Sequence, residues 1–198
     1  PVENVVVSDG EEVVKTDAEG VYRITSAKTN GYVFISTPSG YTVNTTGILP
    51  NFYRTLNTDA ATRERVDFNL VEDPGQENHT ILVFGDMHLA NRSNDDRQQF
   101  SRFTSEINSY LTANGGRNIY AITLGDMTWD LYWYTNKYCF AEYLNDINVI
   151  KGLTVWHTIG NHDHDMAVQN IADDDDSAAE LAYMAAFGPT YYAVNIGK

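Results

Sequence analysis

The sequence has little cysteine, few basic residues and no long apolar run. Cys139 is the only cysteine among 198 residues, which excludes an intrachain disulfide and any zinc site built from several cysteines. Lysine and arginine number 13 against 27 acidic residues, and the formal net charge is −14. Duplex nucleic acid and anionic membrane surfaces are therefore poor partners. No apolar stretch approaches the roughly 20 residues that span a bilayer.

The composition, 42% hydrophobic, supports a buried core, and the chain divides into two regions of different pattern. Up to about residue 73, short alternating apolar stretches are separated by turns, as in a small all-β sandwich. The polar stretch at residues 72–78 contains Pro-Gly and breaks the pattern. We therefore predict a β-sandwich domain over residues 1–74 and a second domain over residues 75–198. The predicted strands of the first domain are residues 5–7, 13–14, 21–24, 31–35 and 65–70.

The second region alternates apolar strands with amphipathic helices. The predicted strands are residues 81–84, 119–124, 153–159 and 191–196, and the predicted helices begin near residues 94, 140 and 177. This alternation indicates βαβ units and a mostly parallel sheet. Ligands of such sheets bind outside the carboxyl ends of the strands.

Three short motifs follow the first three of these strands. Motif 1 is Gly-Asp-Met-His at residues 85–88, motif 2 is Gly-Asp-Met-Thr at residues 125–128, and motif 3 is Gly-Asn-His-Asp at residues 160–163. We expect their side chains to converge, and we expect each glycine to permit a tight turn from strand to loop. Turn-forming polar residues are the alternative interpretation, which three such motifs in order disfavour.

Carboxylate, imidazole and amide groups form a mixed ligand set in these motifs. The residues concerned are Asp86, His88, Asp126, Asn161 and His162. This set suits Mn, Fe, Zn or Ni better than Ca. It could hold two divalent ions with one carboxylate bridging them, and such pairs of ions promote in-line displacement at phosphorus. The motifs therefore predict phosphoester hydrolysis.

With these residues, the chain from about residue 79 to its end resembles the calcineurin-like metallophosphoesterases. The resemblance implies attack on phosphorus by metal-bound hydroxide, with Asp86 and His88 binding the first metal. It implies further that Asp126 bridges both metals and that Asn161 binds the second.

The same resemblance assigns catalytic roles to the end of motif 3. It implies that His162 faces the phosphate as general acid or transition-state stabiliser. Asp163 would orient its loop or a ligand. Many family members carry Asp or Asn three residues after the bridging Asp, where it can support the catalytic His. Trp129 stands there in this chain, and whether Asp130 substitutes stays open.

A second departure concerns histidine. The family completes its site with three further histidines, whereas no histidine follows His164 in this chain. We therefore expect an α/β domain truncated at its C-terminus, which alone binds metals poorly and hydrolyses little.

The N-terminal region resembles a carboxypeptidase-regulatory-like β-sandwich, the module that precedes the phosphoesterase domain in some secreted bacterial proteins. The motifs that carry this resemblance are residues 7–10 and 15–24. The chain opens on Pro1, without an initiator Met. Together with the low basic content, these features predict an extracytoplasmic protein, periplasmic or secreted.

Other conspicuous residues have structural interpretations. We expect His79 and His157 to be structural, His164 to be a solvated loop residue, and Cys139 to be a core residue. The acidic run at residues 173–176 lacks the spacing of a calcium loop and is expected to be solvated. The aromatic stretch at residues 129–134 could form a wall over the substrate or pack beneath a loop, and both interpretations stay open.

Two functions from different classes follow. The first is a metallophosphoesterase, a phosphatase or phosphodiesterase that acts on a small phosphorylated substrate. The second is a non-catalytic binding or scaffold protein that contains a degenerate phosphoesterase half. The intact motifs favour the enzyme.

Overall fold

The computed structural model describes residues 1–115, 118–169 and 176–197. The chain forms two units, which are described separately. The first comprises residues 1–46, residues 50–79 and the stretch from Tyr191 onward, and the second comprises residues 47–49 and 80–190. The predicted domains, residues 1–74 and 75–198, stay predictions. Of the acidic run, residues 173–175 lie outside the described residues.

The N-terminal region is rich in short β-strands that pair antiparallel. These are β1 Val6–Ser8, β2 Val13–Lys15, β3 Tyr32–Ser36, β4 Tyr41–Val43, β5 Thr45–Thr46, β6 Leu49–Pro50, β7 Tyr53–Thr55 and β8 Leu70–Glu72. One sheet has the order β2-β1-β3-β7, and β4 pairs with β8. Val7 of β1 and the consecutive residues Tyr32–Ile35 of β3 are buried, so β3 is buried on both faces. The predicted all-β character of this region is confirmed.

Two predicted strands of this region are wrong. Residues 21–24 form no strand, and of residues 65–70 only Leu70 enters one. Side-chain contacts, and not backbone hydrogen bonds between strands, connect these two segments. The Tyr22 hydroxyl donates to the Val66 carbonyl at 2.9 Å, and its ring lies 6.5 Å from that of Phe68.

The second unit contains a three-stranded parallel sheet and three helices. Its strands are β9 Thr80–Phe84, β10 Ile119–Thr123 and β11 Thr154–Trp156, in the order β11-β10-β9. Its helices are α1 Asp96–Ala113, α2 Phe140–Ile147 and α3 Ser177–Phe187. The α/β fold class is confirmed. Within the described ranges, no helix is long and apolar enough to cross a membrane.

One apolar face of each helix packs into the core of the second unit. These faces contribute Phe100 and Leu111 from α1, Tyr143 and Ile147 from α2, and Tyr183 and Phe187 from α3. A short segment from the N-terminal half, Gly47–Leu49, joins this core through the fully buried Ile48. Its backbone donates to the Asn148 side chain at 3.1 Å and accepts from the Val155 N–H at 2.9 Å.

The predicted strand at residues 191–196 is also wrong. Val194 makes an isolated bridge with Thr37, and this stretch belongs to the first unit. The reason is aromatic packing, because the Tyr192 ring lies 4.6 Å from that of Phe52 and the Tyr191 ring lies edge-on to Phe34.

Candidate metal centre

The register of the parallel sheet brings the three motifs to one edge. Phe84 pairs with Thr123, and Ile122 pairs with Trp156, so the carboxyl ends of β9, β10 and β11 lie side by side. Motif 1 begins directly after β9, and motifs 2 and 3 follow β10 and β11 within a few residues. Their predicted position at the strand ends is confirmed.

Backbone hydrogen bonds continue this pairing into motifs 1 and 2. The His88 N–H donates to the Asp126 carbonyl at 2.9 Å, and Leu89 forms a parallel bridge with Thr128. Asp86, His88 and Asp126 have φ values of 45°, 45° and 51°, in the left-handed region. Asp and His are among the residues that tolerate this region best. Strained backbone of this kind concentrates at functional sites, where the surrounding structure holds it in place.

The glycines that open the motifs serve different purposes. Gly125 has a φ of +91°, and a Cβ there would lie 2.6 Å from the Gly160 Cα. A Cβ at Gly160 would overlap the backbone N and Oδ1 of Asp126, whereas a Cβ at Gly85 would meet only the Leu124 side chain, at 3.7 Å. Gly125 and Gly160 are therefore required because motifs 2 and 3 approach each other closely. The expected tight turn from strand to loop does not explain all three glycines.

Three of the predicted site residues come together in a potential metal-binding group. His88, Asp126 and His162 each offer a ligand atom, and these atoms all lie within 4.8 Å of one another. His88 Nε2 lies 3.1 Å from Asp126 Oδ2, and the His162 N–H donates to Asp126 Oδ1 at 2.9 Å. Two imidazoles and a carboxylate match the ligand preferences of divalent transition metals, so these residues fit such an ion.

Asp86 and Asn161 lie outside this group. Both residues are exposed, and the Asp86 carboxylate is not among the mutually close ligand atoms of the described chain. Asn161 begins the 3-10 turn Asn161–Asp163 next to His162. Their assignment as metal ligands stays a prediction.

Asp163 lies beneath the site and is fully buried. Its carboxylate accepts the backbone N–H groups of Met127, Thr128 and Gly160 at 3.1–3.3 Å, and the Thr128 hydroxyl at 3.2 Å. Burial raises the pKa of Asp163, and the backbone hydrogen bonds from Thr128, Gly160 and Met127 partly offset that increase. Asp163 therefore ties motif 2 to motif 3.

Asp130 forms a close contact with the imidazole of His162. Asp130 Oδ1 lies 2.7 Å from His162 Nδ1. This places a carboxylate against the histidine even though Trp129 stands three residues after Asp126. Asp130 begins the 3-10 helix Asp130–Tyr132, whose turn brings its side chain to motif 3.

Arg92 is a site neighbour that the sequence analysis did not identify. Its guanidinium lies 5.0 Å from the centroid of the Trp129 ring, and that ring lies 5.3 Å from the His88 ring and 5.6 Å from the His162 ring. Arg92 lies in the loop before α1 and forms an ion pair with Asp96, the first residue of that helix, so no periodic pattern in the sequence marks it as a site residue.

The remaining histidines have local partners. His157 is buried, it lies 3.0 Å from the Tyr143 hydroxyl, and burial lowers its pKa to about 3. In the first unit, His79 Nδ1 lies 2.8 Å from the Gln76 carbonyl. His164 Nδ1 lies 3.0 Å from the Gly160 carbonyl, so this residue is anchored in its loop rather than fully solvated.

Burial also sets the chemistry of the single thiol. Cys139 is half-buried at the start of α2, and burial raises the pKa of its thiol to about 11. A thiol with so high a pKa is a poor nucleophile at neutral pH, in agreement with its expected packing role.

The aromatic stretch at residues 129–134 is expected either to form a wall over the substrate or to pack beneath a loop, and its residues differ in this respect. Trp133 is buried, packs edge-on against Phe140 and donates its indole N–H to Thr128 Oγ1 at 2.9 Å. Trp129 lies against the site histidines, and Tyr132 lies edge-on to it at 5.4 Å. Trp133 therefore packs within the unit, and Trp129 belongs to the site.

Comparison with known families matches both regions of the chain. Residues 1–73 match the N terminal of calcineurin-like phosphoesterase, and residues 79–197 match calcineurin-like phosphoesterase. No curated protein and no solved structure matches the chain significantly. The second match alone covers more than half of the chain. The chain therefore belongs to the calcineurin-like phosphoesterase family.

Proposed function

We propose that the chain supports metal-dependent hydrolysis of a small phosphorylated substrate at a two-metal site beside β9, β10 and β11. The observation that carries this proposal is the group formed by His88, Asp126 and His162 in a phosphoesterase family. Bound divalent ions would activate a water for attack on phosphorus and neutralise the charge that develops on the phosphate oxygens.

Asp126 is the residue best suited to bridge two ions. Its Oδ2 faces His88 of motif 1, and its Oδ1 faces the backbone of motif 3. The two carboxylate oxygens are therefore directed toward different motifs. We assign His88 with Asp86 to one ion and Asn161 to the other.

His162 lies beside His88 and Asp126, but we assign it as the proton donor to the leaving group and not as a permanent metal ligand. Its Nδ1 lies 2.7 Å from the Asp130 carboxylate, which orients the ring and favours the tautomer with a proton on that nitrogen. Nε2 is then the nitrogen that gives its proton to the leaving oxygen. After the transfer, His162 is neutral and keeps the Nδ1 proton against Asp130.

The substrate class and the location are further parts of this proposal. The net charge of −14 disfavours duplex nucleic acid, so a small phosphoester is the proposed substrate. An extracytoplasmic location, periplasmic or secreted, is proposed because the chain has few basic residues and its N-terminal region resembles a module found in secreted proteins.

The test uses the native full-length polypeptide, stripped with a chelator and then supplied with Mn, Fe, Zn or Ni. Hydrolysis of p-nitrophenyl phosphate and of its bis-ester separates monoesterase from diesterase activity. We expect activity that depends on the metal and falls about 100-fold or more in Asp126→Asn and Asn161→Ala variants.

Asp146→Asn is a matched control, because Asp146 lies in the same unit and pairs with Arg97. Its activity should equal that of the wild type. Activity that Asp126→Asn leaves unchanged would contradict the proposed site. A polypeptide that binds no transition metal and hydrolyses neither ester would support the scaffold alternative.

A further inference from the structure

The Trp129 ring is surrounded by groups of the chain itself. The Arg92 guanidinium lies over it at 5.0 Å, the His88 ring is tilted 37° to it, and the His162 ring is tilted 58°. Tyr132 meets it edge-on. The indole therefore contacts both imidazoles and can restrict their orientation. Because these groups already cover the ring, little of its surface is left for a substrate to stack on.

The indole N–H supports the same conclusion. Trp129 Nε1 is buried and has no hydrogen-bond partner among the described residues. An unpaired buried donor is unfavourable, so hydrogen bonding does not explain an indole at this position. Shape and ring contacts explain it better, because a large planar side chain touches both histidines at once.

Arg92 is itself held in place by Asp96, at the start of α1. Arg92 Nε lies 3.2 Å from Asp96 Oδ2, and its Nη2 donates to the His88 carbonyl at 3.3 Å. Asp96 is buried and also accepts the backbone N–H groups of Ala90 and Arg92. The loop after His88 is thus fastened at several points.

We propose that Arg92 and Trp129 form a positioning pair that sets the orientation of His88 and His162. His88 has a left-handed φ of 45°, a conformation that needs support from its surroundings. Arg92 provides it through the His88 carbonyl, while Trp129 fixes both rings. This role rests on the proposed function, because His88 and His162 are residues of the proposed metal site.

The test measures Mn²⁺ affinity by calorimetry in the native full-length polypeptide. Arg92→Gln removes the charge and the forked donor, and it should weaken Mn²⁺ binding about 10–100-fold, as loss of a group that orients metal ligands does. Arg92→Lys keeps a cation over the indole and should recover part of the loss. Trp129→Phe keeps a smaller ring and should weaken binding less than Trp129→Leu.

Arg97→Gln is the matched control. Arg97 lies on α1, five residues after Arg92, pairs with Asp146 and lies over the Tyr138 ring at 5.4 Å, so it repeats the chemistry of Arg92 away from the site. Its Mn²⁺ affinity should equal that of the wild type. A second readout is catalytic: we expect Arg92→Lys to lower kcat for p-nitrophenyl phosphate with little change in KM.

The outcomes separate this inference from the proposed function. Wild-type Mn²⁺ affinity and kcat in both Arg92→Lys and Trp129→Leu, with binding abolished by Asp126→Asn, would overturn the positioning pair and leave the metal site intact. Mn²⁺ binding unaffected by Asp126→Asn would overturn both. If Arg92→Gln fails to fold, Arg92→Lys and Trp129→Phe carry the same test.

Discussion

The approach of motif 3 to Asp126 leaves no room for a side chain at Gly160. Its φ of −114° is ordinary for any residue, so an alanine there meets no backbone strain. The added Cβ would overlap the backbone N of Asp126 and lie 2.9 Å from its Cγ. A backbone atom cannot rotate away as a side-chain end can, so Gly160→Ala must separate motifs 2 and 3.

The expected loss has two parts. Overpacking of this kind costs about 1–3 kcal/mol. Separation also breaks the hydrogen bond from the His162 N–H to the Asp126 carboxylate, and hydrogen bonds to charged groups contribute about 1.5–3 kcal/mol. We therefore expect Gly160→Ala to lower the free energy of unfolding of the second unit by about 2.5–6 kcal/mol.

Urea unfolding followed by tryptophan fluorescence measures this loss. All three tryptophans of the chain, at positions 129, 133 and 156, lie in the second unit, so their emission reports on that unit. The matched control is Gly85→Ala, whose Cβ would meet only a side chain at 3.7 Å. We expect it to change stability by no more than about 1 kcal/mol. Equal stability of the two variants would refute the reasoning.

Three further predictions concern carboxylates and a buried histidine. His157 has a folded pKa of about 3, below its unfolded value, so its stabilising contribution is present above about pH 6.5 and is lost as the pH falls toward 3. From about pH 7.5 to 5.5, the wild type should lose about 1.4 kcal/mol more than His157→Gln in urea unfolding, and parallel losses would contradict this. Asp163→Ala should cost at least about 3 kcal/mol, because two buried N–H groups and one partly buried N–H group lose their acceptor, whereas Asp163→Asn keeps one oxygen and should cost less in the same assay. Asp130→Asn should lower kcat for p-nitrophenyl phosphate about 100-fold with an unchanged unfolding free energy, and an unchanged kcat would exclude its support of His162.

Local signals were enough to predict the elements that carry the motifs. An Ala-rich stretch stopped by Gly188 predicted α3 with the bounds found, Ser177–Phe187. The apolar run before motif 1 predicted a strand, found as Thr80–Phe84. Parallel pairing then brings the motifs together, because strand ends in register lie at one edge of the sheet.

Features that depend on contacts between distant residues could not be predicted. The contact of Asp130 with His162 depends on a 3-10 turn after motif 2, and sequence spacing does not specify where such a turn directs its side chains. Likewise, Tyr192 follows a strand-like pattern, but its ring packs against Phe52 of the first unit. Long-range packing overrides the local preference in such cases.

The central claim is that the motifs bind the ions that promote phosphoester hydrolysis. The most direct measurement is an anomalous difference map from crystals of the native full-length polypeptide containing Mn²⁺. The account predicts two peaks about 3.5–4 Å apart, with Asp126 between them and His88 and Asn161 on opposite ions. Peaks elsewhere, or no peak within coordination distance of Asp126, would contradict it.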